Sequence, residues 1–329
     1  MSIFLILETE VTMYSKARSI GSIVIAAGIC LAACTKSPEP QDTVPQQSSS
    51  EITSLEFNLP SYRSVNDEPD SKVLLEWDES SIAISFEATD TLGVYPDDGS
   101  QIYFKTSGTS GQSVAFDGGA WKMKMDATYY SYYPFVGDIY LDKTKVPVRF
   151  DGQSQDGNTG SISGMRSSFS CIGTPDVATG KVTFDYVATN CFINVNATLP
   201  AGTYTKMHLK LEEPLFVKRG TVDVTQATPS ITPVEMTDLL TLDLENCTLP
   251  SKGVLKAFVS SAPVNLNGKH VNVYFLDSEG FVYKQQKTPS REYLAGNRYG
   301  LTCTPALDDG YSFGIAAWTQ EDVIEGIAE

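Results

Sequence analysis

Along most of this chain apolar side chains recur at every second position rather than every third or fourth, the period of a half-buried β-strand. Leu55, Phe57 and Leu59 alternate in SLEFNL, Ile82, Ile84 and Phe86 in SIAISF, and Val182, Phe184 and Tyr186 in KVTFDY. NCFINVNATL places Phe192 and Val195 in another strand, and HVNVYFL does the same for Val271, Val273 and Phe275. Between such runs stand DDGS, FDGG, DGQSQDGN, DSEG and LNGK, clusters of Gly, Asp and Asn of the kind that close hairpins. Many short strands separated by acid-rich turns predict an all-β protein, and sandwiches bury such strands most economically. One strand ends in the turn residues Leu199-Pro200-Ala201-Gly202 and TKMHLKL begins the next, which sets a boundary between two domains, 52–199 and 200–329.

The first fifty residues break this pattern. Met13, then Lys16 and Arg18, then apolar or small residues from Ile20 to Ala33 form the basic and apolar regions of a secretion signal. Met13 is the expected start, because the stretch after Met1 carries Glu8 and Glu10 where a signal carries base. The apolar run is too short for a helix across a hydrocarbon core, which takes about 20 residues. It ends in Leu31-Ala32-Ala33-Cys34, which resembles the lipobox of bacterial lipoproteins. That resemblance implies loss of residues 1–33, a diacylglycerol on the Cys34 thiol and acylation of the new amino terminus. Several acyl chains on one residue hold a protein firmly where one holds it marginally. Thr35, in place of the aspartate that favours inner-membrane retention in that family, implies the outer membrane. Residues 34–51, with three prolines and a cluster of Ser and Gln, read as a flexible tether.

Charge and motif content narrow the function. The chain carries 24 basic against 40 acidic residues, a formal net charge of -16. That balance opposes nucleic-acid binding, which rests on neutralising phosphates with Lys and Arg. Cys171, Cys191, Cys247 and Cys303 are too widely spaced for a zinc site. They read either as small buried hydrophobes or as disulfides, with three pairings open. His208 and His270 each sit in strand-like alternation, outside any HExxH or serine pattern, and TSGTSGQS lacks the spacing of a nucleophile elbow. DGQSQDGN lacks the ligand spacing and final glutamate of a calcium loop. No enzyme, cofactor or metal is expected. Tyr129-Tyr130-Ser131-Tyr132-Tyr133 could stack on sugar rings, but aromatics alternating through a sheet fit better.

Four further stretches carry a family resemblance. DTLGVYP (90–96), Ala127-Thr128 followed by YYSYYPF (129–135), LKAFVSSAPVNLNGKHVNVYFLDSEGFVY and YLAGNRYGLTCTP resemble, in order, the fimbrillins, that is, the type V pilins and related surface lipoproteins of Bacteroides-type bacteria. The resemblance covers most of residues 74–329. It implies two tandem β-sandwich domains of transthyretin-like topology. It also implies a fimbrial subunit that supports adhesion, is cut after an arginine by a trypsin-like protease so that its first strand leaves, and polymerises by donor-strand exchange. Carried onto this chain, the processing site falls on Arg63, the first basic residue after Lys36, in the polar, loop-like stretch from Pro60 to Asn66. The displaced strand is that of Leu55, Phe57 and Leu59. The donor is Asp322–Glu329, with Val323, Ile324 and Ile327 as its apolar residues, while Tyr311, Phe313 and Ile315 read as an edge strand of their own domain. The partners implied are other fimbrial subunits, the outer membrane through the lipid, the protease, and a host or glycan ligand. Alternatives are an anchor or tip subunit of the same fibre, or a monomeric glycan-binding surface lipoprotein.

Overall fold

The computed structural model describes residues 52–308, apart from 53, 67–80, 84, 87–89, 97–99, 106–110, 112, 118–123, 138–140, 157–168 and 177. Cys34 and everything beyond residue 308 lie outside the described residues. Among the described residues there are strands and no helix. The chain first forms β1 (Ser54–Asn58), β2 (Ser61–Asn66), β3 (Ser81–Ala83), β4 (Thr91–Pro96), β5 (Ile102–Lys105), β6 (Ser113–Asp117) and β7 (Tyr129–Tyr133). Then come β8 (Val146–Arg149), β9 (Gln153–Asp156), β10 (Phe169–Gly173), β11 (Pro175–Asp176), β12 (Lys181–Asp185), β13 (Val187–Ala188) and β14 (Cys191–Leu199). Long strands follow: β15 (Gly202–Lys210), β16 (Phe216–Val222), β17 (Ile231–Thr237), β18 (Leu239–Leu249) and β19 (Gly253–Ser261). The last are β20 (Val264–Asn265), β21 (Val271–Asp277), β22 (Val282–Lys287), β23 (Glu292–Tyr293), β24 (Asn297–Cys303) and β25 (Ala306–Leu307).

Four sheets make two sandwiches. In the first, the sheet β11-β12-β1-β6 and the sheet β13-β10-β7-β4-β5 close on a core that includes Leu55, Phe57, Val94, Phe169, Val182 and Phe184. In the second, β19-β14-β24-β2-β3 and β25-β22-β21-β15-β18-β9 close on Ile193, Val195, Met207, Leu242, Val273 and Leu301. Alternation sets these faces: along β12 Val182 and Phe184 are buried while Lys181 and Thr183 are not, and β14 repeats the pattern from Ile193 to Leu199. The boundary expected at 199/200 falls in the turn between β14 and β15. β14 pairs with β19 and β24, β2 pairs with β24, and β9 pairs with β18, so strands from before that turn supply part of the second sandwich.

A three-stranded sheet, β17-β16-β8, covers a small cluster of Tyr95, Tyr132, Val146, Val222 and Val224. Its edge strand β17 carries Pro233, which has no N–H to offer. Val234 is an unpaired extra residue there, since Pro233 faces Gly220 and Glu235 faces Arg219. A proline and a bulge both blunt an edge against further strand addition.

The acid-rich turns have a specific chemistry. Asp142 accepts a hydrogen bond from the Thr144 N–H, Asp176 from that of Ala178, Asp223 from that of Thr225, and Asp277 from those of Glu279 and Phe281. Each carboxylate thus stands in for a backbone acceptor two residues back. DSEG and LNGK do turn, with Gly280 at φ +90° and Gly268 at φ +71°. DGQSQDGN does not behave as expected: Asp151 and Gly152 bend, but Gln153–Asp156 is the strand β9, with Gln153 and Gln155 buried.

Gly173 shows how closely the first core is packed. A Cβ there would lie 2.6 and 2.8 Å from ring carbons of Phe184. Gly173→Ala is expected to cost about 1–3 kcal/mol, the usual penalty for overpacking a core. A shift of the denaturant midpoint at unchanged slope would measure it.

Candidate functional site

Two of the sequence elements singled out for function, the strand of Leu55, Phe57 and Leu59 and the residue Arg63, lie in the segment from Ile52 to Asn66. β1 is an interior strand: it runs parallel to β12, with Ser54 facing Lys181 and Asn58 facing Asp185, and antiparallel to β6, with Asn58 facing Ser113. Leu55, Phe57 and Leu59 are all buried, Phe57 completely. The Phe57 ring stacks on Phe184 with centroids 4.8 Å apart and planes 6° from parallel, and meets Phe104 at 6.0 Å. Asn58 ties both flanking strands, donating to Asp185 at 2.8 Å and accepting from the Ser113 hydroxyl at 2.6 Å. Glu56 pairs with Lys181.

Leu59 and Pro60 carry the chain from the first sandwich to the second, where β2 lies between β24 and β3. The stretch expected as a loop is therefore a strand. Its polar residues Ser61 and Arg63 point outward, while Tyr62 between them is fully buried. Arg63 is exposed, but its backbone is held: it faces Asn297 on one side and Ser81 on the other, and its N–H donates to the Gly296 carbonyl at 3.0 Å. A protease needs several residues of free extended chain, so cleavage here requires the start of β2 to open first.

Tyr62 heads a buried polar chain. Its hydroxyl donates to Asn190 Oδ1 at 2.6 Å, and Asn190 Nδ2 donates to Ser260 Oγ at 2.7 Å. The Ser260 N–H donates to Gln153 Oε1 at 2.7 Å, and Gln153 Nε2 donates to the carbonyls of Ser260 at 2.9 Å and Phe150 at 2.7 Å. Gln155 repeats the arrangement one step along, accepting from the Phe258 N–H and donating to the Lys256 carbonyl, both at 2.8 Å. β19 is the outer strand of its sheet, so two side-chain amides occupy the edge where a further strand would otherwise pair. The Tyr62 ring meets Phe192 edge-on at 4.6 Å.

The other candidates are resolved by their surroundings. In β7 the hydroxyl of Tyr129 bonds the Lys124 carbonyl, that of Tyr132 bonds Gln101, and that of Tyr133 bonds Asp90 at 2.6 Å, so the aromatic run is spent on packing. His208 is buried against Thr241, at 2.9 Å, and His270 is exposed beside Thr288. Cys191 and Cys247 are free and buried, and Cys303 is buried. Among the described residues no three His, Cys, Asp or Glu are grouped as a metal site. Val323, Ile324 and Ile327 lie outside the described residues, as does Cys34.

Burial pushes the Cys191 thiol up to about 12 from its ordinary 9.0, and the Cys247 thiol up to about 11. Burial also raises the Tyr62 hydroxyl, with Cys191 adding to the rise and the Asn190 hydrogen bond opposing it. Below the unfolded-state value of 9.0 the thiols are neutral in both states and nothing changes. Above it the unfolded chain ionises first, so the contribution of Cys191 to stability falls as pH rises from 9.0 to about 12, by about 1.4 kcal/mol per pH unit, and Cys247 adds a smaller loss that ends near 11. Denaturant midpoints measured across that window check this, and thiol reagents should leave Cys191 unlabelled until the protein unfolds.

No family model and no curated protein matches the sequence. Solved structures do. A candidate cell adhesion protein of Bacteroides uniformis is similar with 16% identity and a TM-score of 0.49 over 78% of this chain and 98% of its own. One from Bacteroides ovatus shows 16% identity and a TM-score of 0.48 over 79% and 96%. The tip fimbrial protein Mfa3 of Porphyromonas gingivalis shows 10% identity and a TM-score of 0.37 over 78% and 96%.

Proposed function

We propose that this protein is a structural subunit of a cell-surface fimbrium that supports adhesion and is not an enzyme. It is secreted as a lipoprotein through Cys34, cut after Arg63 by a trypsin-like protease, and polymerised when a strand of another subunit takes the place of β1. Its C-terminal tail supplies that strand, and the outer membrane and fibre are its locations.

The observation that carries this reading is the interior position of β1. Burying a Leu, Phe or comparable side chain is worth about 1.5–3 kcal/mol. Leu55, Phe57, Leu59 and Tyr62 together then account for roughly 6–12 kcal/mol, similar to the 5–15 kcal/mol total stability of an ordinary domain. A chain that loses β1 must therefore refill the space between β12 and β6. Backbone pairing from a neighbour's extended segment does so, and a head-to-tail contact of this kind grows into a filament.

Limited trypsin digestion of the Cys34→Ser chain, followed by N-terminal sequencing and sizing, tests the reading. The expected result is a new terminus at Ser64, slowed by the opening of β2, and a ladder of oligomers that Arg63→Gln prevents. A chain cut after Arg63 that stays monomeric would sink it and favour an anchor or a monomeric lipoprotein.

A further inference from the structure

Four positions define the space that β1 and the start of β2 occupy: Leu55, Phe57, Leu59 and, after a gap of two, Tyr62. Beyond β25 the same spacing recurs in YSFGIAAW, where Tyr311, Phe313 and Ile315 are followed, after a gap of two, by Trp318. We propose that residues 311–318 of a second copy of this chain, and not its last eight residues, fill the site vacated by residues 55–62; this rests on the reading in which β1 leaves.

The match extends to chemistry. Phe313 falls where the fully buried Phe57 stacks on Phe184. Ile315 falls at Leu59. Trp318 falls at Tyr62, whose hydroxyl donates to Asn190 Oδ1. An indole N–H is a donor and supplies no acceptor, which suits that oxygen. Between them Ser312 and Gly314 take the outward positions of Glu56 and Asn58.

The final residues DVIEGIAE fit less well. With Val323 at Leu55 and Ile327 at Leu59, Glu325 takes the position of Phe57, and a carboxylate would enter a closed aromatic core. In the other register Gly326 and Ala328 leave two of the positions nearly empty.

The donor belongs to a second copy. β25 pairs with β22 at the edge of the second sandwich, and the Asp308 N–H still bonds the Val282 carbonyl at 2.9 Å. Three residues from Asp308 to Tyr311 span at most about 10 Å. The first core draws on no strand of that sheet. Residues 311–318 of one copy thus emerge at the second sandwich and serve the first sandwich of the next.

The test uses the full-length Cys34→Ser chain, cut after Arg63. The expected result is that Phe313→Glu abolishes the ladder of oligomers while Ile327→Glu leaves it intact, both uncut variants keeping the circular dichroism of the parent. A ladder that survives Phe313→Glu and is lost with Ile327→Glu overturns the proposal and moves donation to the last eight residues. A parent chain that forms no ladder once cut overturns the underlying reading instead. Register is checked separately by mixing a cut Ser113→Cys chain with a Gly314→Cys chain. Because Asn58 faces Ser113, the equivalent Gly314 should form a disulfide between copies, and Gly326→Cys should not. A cross-link formed only within one molecule carrying both substitutions would overturn assignment to a second copy.

Discussion

Phe57→Ala is expected to destabilise the first sandwich by about 3–5 kcal/mol, the range for deleting a buried phenyl ring. The ring is fully enclosed, stacked on Phe184 at 4.8 Å and bounded by Phe104 and Tyr186. Its neighbours belong to both sheets, so the cavity cannot close by moving one strand. Urea or guanidinium unfolding would show the effect as a lower midpoint. The variant has a second consequence. With less holding β1 in place, trypsin should cut after Arg63 sooner than in the parent, because the rate follows the population of the opened state. A lower midpoint with unchanged cutting would mean that β1 is held by its backbone pairing and not by this ring.

The double variant Gln153→Ala with Gln155→Ala is the other large effect. Each glutamine satisfies one N–H and at least one carbonyl of the backbone inside a sealed region. Leaving a buried donor or acceptor without a partner costs about 1–3 kcal/mol. The pair is therefore expected to lose several kcal/mol, and less than the simple sum because the two side chains share one edge. Gln153→Glu isolates the role of the amide: it keeps the shape and the acceptor for the Ser260 N–H but loses the donor to two carbonyls. It should cost more than Gln155→Ala alone. Beyond stability, the double variant uncovers the outer edge of β19, and light scattering should show association that the parent lacks.

How much of this could be seen in the residues depends on which atoms do the work. β1, β12, β14 and β21 were legible because their buried positions are apolar and alternate, and period two is a property of the backbone itself. β2 was not, since one tyrosine among Ser, Arg and Asn looks like a polar turn until Phe192 and Asn190 are seen to enclose it. β9 was hidden for a sharper reason. Its inward residues are glutamines whose amides replace backbone partners of a strand about 100 positions later, so their burial follows from a contact that local pattern does not encode. The only local trace was the alternation Gln153-Ser154-Gln155-Asp156. DSEG is legible as a turn because Asp277 accepts from the backbone two residues on, whereas DGQSQDGN misleads because its glutamines form the strand β9. In the candidate site, Leu55, Phe57 and Leu59 could be named from sequence, whereas Tyr62 and the polar chain behind it required the fold.

The directions of β1 and β2 also decide how the molecule bears a pull. Both run parallel to a partner that lies later in the chain: β1 beside β12, and β2 beside β24, where Arg63 faces Asn297 and Asn66 faces Gly300. Tension applied upstream of Ser54 and resisted beyond Asp308 draws β2 one way along its axis and β24 the other. That is shear, in which the hydrogen bonds across the pair are loaded together instead of being peeled apart in turn. A subunit held by its N-terminal end would then yield under force at the rate of its cooperative unfolding step, and severing the backbone at Arg63 would remove that load path altogether.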